Sequence, residues 1–176
     1  MKSIGIDLSL TGTGVVVLED GKLIHQELIK SKPVGDKPVD ELRRIVKIVQ
    51  GVHMCFGSHT IDIAVIEGLA FMARNTTALV QLSALNYFTR HLLWGIETPF
   101  VIVAPTSLKK FVTGNGASKK DVMMMEVYKR WGVTMLDDNL CDAYGLAQVG
   151  LALKDGNSKA TTKVQNEVLE LIRKQL

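Results

Sequence analysis

Two apolar runs in this chain each end on a carboxylate. Residues 3–7 read Ser-Ile-Gly-Ile-Asp, and residues 61–67 read Ile-Asp-Ile-Ala-Val-Ile-Glu. Short runs rich in β-branched residues are strand signals, and a nearly all-apolar one such as 61–66 suits a strand covered on both faces. An acid closing such a strand stands at a sheet rim, where open α/β sheets gather their ligands. If the two strands pair, Asp7 and Glu67 emerge on the same rim. Taken singly, each acid is equally well read as a surface terminus. Taken together they constrain the fold and the chemistry.

The remaining patterns supply the rest of the sheet and its cover. Residues 15–18 and 23–29 read as strands joined by Asp20-Gly21, a two-residue hairpin signal, with 11–14 (Thr-Gly-Thr-Gly) turning the chain before them. The loop 31–38 is rich in Pro, Gly and charge and leads into a helix in which Leu42, Ile45, Val46, Val49 and Val52 recur at helical spacing. Residues 76–94 read as a second helix, 100–103 as a fifth strand, and 118–131 and 138–154 as two more helices after a polar, Gly-containing loop. The order β-β-β-α-β-α-β-α-α predicts an α/β fold: a five-stranded mixed sheet, a three-stranded antiparallel meander plus parallel strands, flanked by helices. One domain is expected to span 1–155. Gly156-Asn157-Ser158 sets off a short charged helix in 156–176, expected to be peripheral to the same domain.

Asp138 and Asp142 open the 138–154 helix and, four apart, share a face. If that helix reaches the rim, several carboxylates crowd together and raise one another's pKa values unless a cation is present. Two Mg²⁺ ions about 3.5–4 Å apart, with Mn²⁺ as a substitute, would relieve the repulsion and act on a phosphodiester. Which residue joins Asp142 in that first turn is open among Asp137, Asp138 and Asn139. Asp138 is favoured, because Mg²⁺ prefers carboxylates to an amide and Asp137 lies about 140° round the helix from Asp142.

Lys109-Lys110 and Lys119-Lys120 bracket a Gly-containing stretch without an acid. Ser118 and Asp121 have capping-box spacing, which places a helix N-terminus and its free amides beside Lys119. Solvated lysines are the plainer reading of the same run. After Glu67, Phe71 and Arg74 fall in a loop, where they suit stacking on an unpaired base or contact with a nucleic-acid backbone. Packing of Phe71 in its own core is the competing reading. Trp94 and Trp131 fall at helix ends and read as core. Met123, Met124 and Met125 read as helix packing.

Composition bounds the rest. A length of 176 residues fits one domain with a single core. No apolar run approaches the about 20 residues of a membrane span, and an acid at position 7 comes too early for a secretory signal. Cys55 and Cys141 lack metal-ligand spacing and His25, His53, His59 and His91 show no ligand pairing, so a reduced, cytoplasmic protein is expected. A net charge of +3 permits nucleic-acid binding without requiring it.

In order along the chain, Gly5-Ile6-Asp7-Leu8-Ser9 with Gly12 and Gly14, Glu67 followed by Phe71-Met72-Ala73-Arg74-Asn75, the Lys109 to Val122 block, and Asp142-Ala143 with Leu146-Ala147 resemble the RuvC-type Holliday junction resolvases. The resemblance implies a ribonuclease-H-like fold, a homodimer, and Mg²⁺-dependent paired nicking of four-way DNA junctions, in bacterial cytoplasm or in that of a host if the resolvase is virus-encoded. It implies metal-binding catalytic roles for Asp7, Glu67 and Asp142, with Lys119 near the scissile phosphate and Lys109 supporting it. It further implies that Phe71 stacks at the opened junction centre and that the 76–90 helix carries the dimer contact. Many members of that family carry Asp or His where this chain has Asn139.

Two other readings start from the same residues. A ribonuclease-H-like nuclease can instead act on forks, flaps or RNA–DNA hybrids. Residues 4–14 also resemble the phosphate-gripping hairpin of sugar kinases and actin-like ATPases, but that fold requires a second such domain, for which 176 residues leave no room.

Overall fold

Strict alternation along the central strands decides which layer each residue joins. The computed structural model describes residues 1–57, 60–69, 76–155 and 162–176. The expectations placed on His59, Phe71, Arg74 and the 156–158 spacer lie outside them. Five strands, β1 (Lys2–Asp7), β2 (Gly12–Glu19), β3 (Lys22–Lys30), β4 (Ile63–Glu67) and β5 (Phe100–Val103), form one sheet in the order β3-β2-β1-β4-β5. The first three are antiparallel, while β4 and β5 run parallel to β1 and to each other. The sheet is the expected mixed one.

Successive side chains point to opposite faces of a strand. Ile4, Ile6, Val15, Val17, Ala64 and Ile66 therefore fill one core layer with α1 (Pro38–Met54) and α2 (Thr76–Gly95). Val16, Leu18, Ile63, Val65, Val101 and Val103 fill the other, under α3 (Pro105–Thr113), α4 (Lys120–Trp131), α5 (Asp138–Asp155) and α6 (Lys163–Arg173). Within α1 the buried positions are Ile45, Ile48 and Val52, while Leu42 is exposed.

Three elements differ from the sequence reading. The stretch after β5 is a helix, α3, and not a loop. Pro105 starts it without needing an amide donor, and Gly114 ends it at φ 84°, a left-handed conformation that suits glycine. Gly12 and Gly14 lie within β2 and not in a turn before it. Finally, α6 is not peripheral. It buries Val168, Leu169 and Ile172 in the α5-side core, and beyond it Gln175 bonds both the N–H and the C=O of Ile102. Thr162 and Gln165 cap its start reciprocally.

Trp94 is a further correction. It is 73% exposed at the end of α2, whereas Trp131 meets Tyr144 edge-on at 5.7 Å against the core.

Candidate active site

Parity and register bring the acids together. Ser3 pairs with Ile63 and Gly5 with Val65 across the parallel β1–β4 contact, so Asp7 and Glu67 follow at matching strand ends. Both carry the parity of Val65, so they face α5 and not α1. The helix α5 lies directly on β1, because glycine leaves it room. A Cβ on Gly5 would stand 2.0 Å from Ala143 O, and one on Gly14 would stand 2.3 Å from Asn139 O. This close approach lays the first turns of α5, with Asp142, over the rim where β1 ends.

The electrostatics follow from that crowding. Asp7 is 5% exposed, and its carboxyl is held far above the ordinary range, first by burial and then by the charges of Glu67 and Asp142. Glu67, hydrogen-bonded to Asp7, is also raised, by burial and then by Asp142. Asp142 rises to about 6 from burial, with Asp138 adding to the rise while Lys120 and Lys109 oppose it. Burial and one another's charges thus hinder the ionisation of all three carboxyl groups. Their donors are all hard oxygens, the set that a divalent cation such as Mg²⁺ takes, and a bound cation would reverse the penalty. The donor chemistry of the three acids fits such an ion.

The first turn of α5 separates its candidates. Asp137 caps the helix, its Oδ1 accepting from the N–H groups of Asn139 at 2.9 Å and Leu140 at 3.3 Å. Asp138 accepts from Lys120 Nζ, which holds its carboxyl below the usual range and raises the lysine. Asn139 presents its amide group towards Gly12.

The lysines divide as well. Lys109 and Lys120 act on the acids. Lys119 is exposed at the position preceding α4 and makes no side-chain cap. Lys110 points to Glu167 of α6 at 3.1 Å. The capping box expected from Ser118 is absent, since its hydroxyl pairs with Thr113 Oγ1 at 2.7 Å.

Supporting residues escaped the sequence reading. Asn86 of α2 is fully buried and donates from Nδ2 to the Glu67 carbonyl at 3.3 Å. Arg44 of α1 donates to Leu10 O and, at 3.0 Å, to Ser31 Oγ, bracing the turn that follows Asp7. That turn is closed by Thr13, whose hydroxyl donates to Ser9 O at 2.8 Å. On the same rim an open cleft of about 880 Å³ is lined by Lys30, Lys32, Arg43, Arg44 and Lys47, with Asp40 as its acid. The signal for this basic face was the spacing of Arg43, Arg44 and Lys47 on one side of a helix.

Residues 3–149 match the family model of the crossover junction endodeoxyribonuclease RuvC. This chain belongs to the RuvC family. The crossover junction endodeoxyribonuclease RuvC of Nitratiruptor sp. is 25% identical over 133 residues, spanning 76% of this chain and 83% of that protein. The protein of the same description from Aliarcobacter butzleri is 32% identical over 130 residues, spanning 71% and 80%. Thermus thermophilus RuvC superposes with a TM-score of 0.71 at 20% identity, over 89% of this chain and 97% of that one. T. thermophilus RuvC in complex with Holliday junction substrate gives 0.69 at 18% identity, over 84% and 90%. At such identities the superpositions speak to the fold, which is ribonuclease-H-like as expected. The match covers both acid-bearing strands and the first turns of α5. Among the described residues no helix is long and apolar enough to cross a membrane.

Proposed function

We propose that this chain is a structure-selective DNA endonuclease that makes paired nicks in four-way junctions. One observation carries the reading: in a RuvC-family chain, Asp7, Glu67 and Asp142 converge from two strands and a helix into a pocket that disfavours their charge. Asp7, Glu67 and Asp142 would hold two Mg²⁺ ions, and Asp138 would complete the set once released from Lys120. When bound, those ions supply water activation and neutralise charge on the leaving oxygen.

The chain's own residues do the rest. Gly5 and Gly14 set the depth at which α5 rests, and so the separation of Asp142 from Asp7. Asn86 fixes the strand end that carries Glu67. Lys109 and Lys120 bring positive charge to the pocket, where a phosphate group would gain from it. Lys119, exposed just before α4, is assigned to the scissile phosphate by the family resemblance, while Lys110 suits the DNA backbone, as does the basic cleft beyond Thr11. Phe71 and Arg74 are assigned to the junction centre by their place after Glu67 in the sequence.

A four-way junction presents two equivalent strands, which a two-fold dimer meets with two equal sites. The dimer contact is assigned to the outer face of α2. Val80, Tyr87, Phe88 and Trp94 are exposed there, while Leu82 and Leu85 turn inward to the core of their own chain. Two buried free thiols, Cys55 and Cys141, agree with a reducing cytoplasm.

The test is a panel of end-labelled substrates, namely a four-way junction, a fork, a flap and an RNA–DNA hybrid, each with and without Mg²⁺. Paired, symmetric, Mg²⁺-dependent nicks confined to the junction are expected. Equal cutting of forks or flaps would replace junction resolution with general branch cleavage, and cutting of the hybrid alone would overturn it.

A further inference from the structure

A second donor cluster lies away from the acids, where β3 meets the end of α1. His25 and Glu27 stand two apart on β3 and therefore share a face. They pair with Val17 and Val15 of β2, both part of the α1-side core, so their side chains lie on the α1 side of the sheet edge. Cys55, the residue that ends α1, completes the group. The imidazole nitrogen, carboxylate oxygen and thiol sulfur all lie within 4.8 Å of one another.

We infer that His25, Glu27 and Cys55 form a binding site for a borderline divalent transition cation of the Zn²⁺ class, clamping the edge strand β3 to α1. Cys55 Sγ stands 3.4 Å from Glu27 Oε2, and His25 Nε2 stands 3.7 Å from the same oxygen. Tetrahedral Zn²⁺, with bonds of about 2.3 Å to sulfur and about 2.0–2.2 Å to nitrogen and oxygen, separates such donors by about 3.4–3.6 Å. Two of the three donor separations are therefore already close to those of a coordination shell, and the third is within 4.8 Å.

His25 adds an independent observation. Its Nε2 is shielded from solvent yet has no hydrogen-bond partner, an arrangement native structures rarely leave unexplained. The side chains of His25 and Glu27 remain 38% and 49% exposed, which gives an ion an entry path and leaves water the fourth position. A mixed N, O, S donor set selects Zn²⁺ over Mg²⁺, so the cluster would not compete for the ions of the acidic pocket.

Binding is a simple exchange. The Cys55 S–H, which donates to Glu27 and to Gly51 O, gives its proton to solvent, and a sulfur–metal bond takes its place. A neutral imidazole, a carboxylate and a thiolate around a divalent ion make an uncharged unit, which a half-buried site tolerates. No local motif announces it, because Cys55 lies 28 residues from Glu27 in the chain.

The experiment is titration of the reduced, metal-free protein with CoCl₂, followed by absorbance. One equivalent should produce thiolate-to-cobalt charge transfer in the near ultraviolet with visible bands of tetrahedral Co²⁺, and ZnCl₂ should discharge both. The active-site acids offer no sulfur, so a failed nuclease assay leaves this result intact and the reverse also holds. Cys55→Ser should abolish the charge-transfer band, whereas Cys141→Ser should keep it. His25→Ala should weaken Co²⁺ binding by more than about 10-fold, the loss typical already of an outer-shell partner. Should Cys55→Ser prove misfolded by circular dichroism, Glu27→Gln takes its place, with the same loss expected and unchanged affinity counting against the site. Absence of a thiolate band in the wild type, or its survival in folded Cys55→Ser, would overturn the proposal.

Discussion

Gly5 of β1 and Ala143 of α5 are in such close contact that a methyl group on Gly5 would lie 2.0 Å from the Ala143 carbonyl oxygen and 2.5 Å from Ala147 N. Both neighbours are backbone atoms of a helix, so neither can swing aside. Gly5→Ala must lift α5 and carry Asp142 away from Asp7. Overpacking of this kind costs about 1–3 kcal/mol, or about 2–4 °C of melting temperature per kcal/mol in a domain of this size. That loss should come with a fall in nicking beyond it, measured on protein kept below its melting temperature. A destabilised Gly5→Ala protein that cuts at the wild-type rate would break the link between α5 and the site.

Asn86 tethers the carbonyl of Glu67 from the opposite layer. Replacing it with Leu leaves that carbonyl without its Asn86 bond, a loss of about 1–3 kcal/mol if the group is buried. Nicking rate should drop while junction affinity stays near wild type, because Asn86 is fully buried and itself reaches no DNA. Gel-shift affinity and single-turnover rate separate the two.

The raised acids set a pH dependence with a definite sign. Asp142 is lifted from 3.8 to about 6, chiefly by burial. The folded chain therefore holds that proton more tightly than the unfolded one, and the stabilisation is present at low pH and lost as pH rises through about 6. Glu67 and Asp7, raised in the same direction, extend the loss upward. In EDTA, wild type should lose melting temperature relative to Asp142→Asn over this window. Mg²⁺, which binds the ionised acids, should reverse the slope. Parallel melting curves for the two proteins in EDTA would contradict the assignment.

The first turn of α5 distinguishes a cap from a ligand. Asp137→Ala should cost about 1 kcal/mol, the usual loss of a helix cap, with nicking retained at temperatures where the protein is folded. Asp138→Asn should damage Mg²⁺-dependent nicking far more and stability less, since its Lys120 pair is largely solvent-exposed. The opposite ranking, or a dead Asn139→Ala protein beside an active Asp138→Asn one, would move the fourth position.

The two faces of α2 can be told apart by mutation. Phe88→Glu, at an exposed site, should shift the particle mass to that of a monomer without lowering the melting temperature of the monomer itself. Leu85→Ala, fully buried, should instead cost about 2–5 kcal/mol. Light scattering and thermal melts check both. A Phe88→Glu protein with unchanged mass would rule out this contact.

Much of this architecture was legible in the chain because it rests on local pattern. The apolar runs 3–7 and 61–67, each closed by an acid, read as strands and put Asp7 and Glu67 on one rim if they pair, whereas the face they share emerged only from the register. What stayed hidden depends on contacts distant in sequence. Trp94 looked like core because its residue type is apolar, yet its place on α2 turns it outward. Ser118 and Asp121 had capping spacing, but the nearby Thr113 hydroxyl takes Ser118. The glycines at 12 and 14 read as a turn, since nothing local reveals a helix resting on the strand. Arg44 and Asn86 act through backbone carbonyls 34 and 19 residues away, which no spacing rule reaches.

The central claim is that Asp7 serves metal-dependent cleavage and not folding. The direct measurement is single-turnover nicking of a labelled four-way junction in Mg²⁺ by wild type and by Asp7→Asn, with junction affinity measured in parallel. Burial and the charges of Glu67 and Asp142 already disfavour ionisation of Asp7 without metal, so the neutral Asp7→Asn protein should fold, melt no lower than wild type without metal, and bind the junction, while symmetric nicking disappears. Near-wild-type nicking by Asp7→Asn would contradict the account.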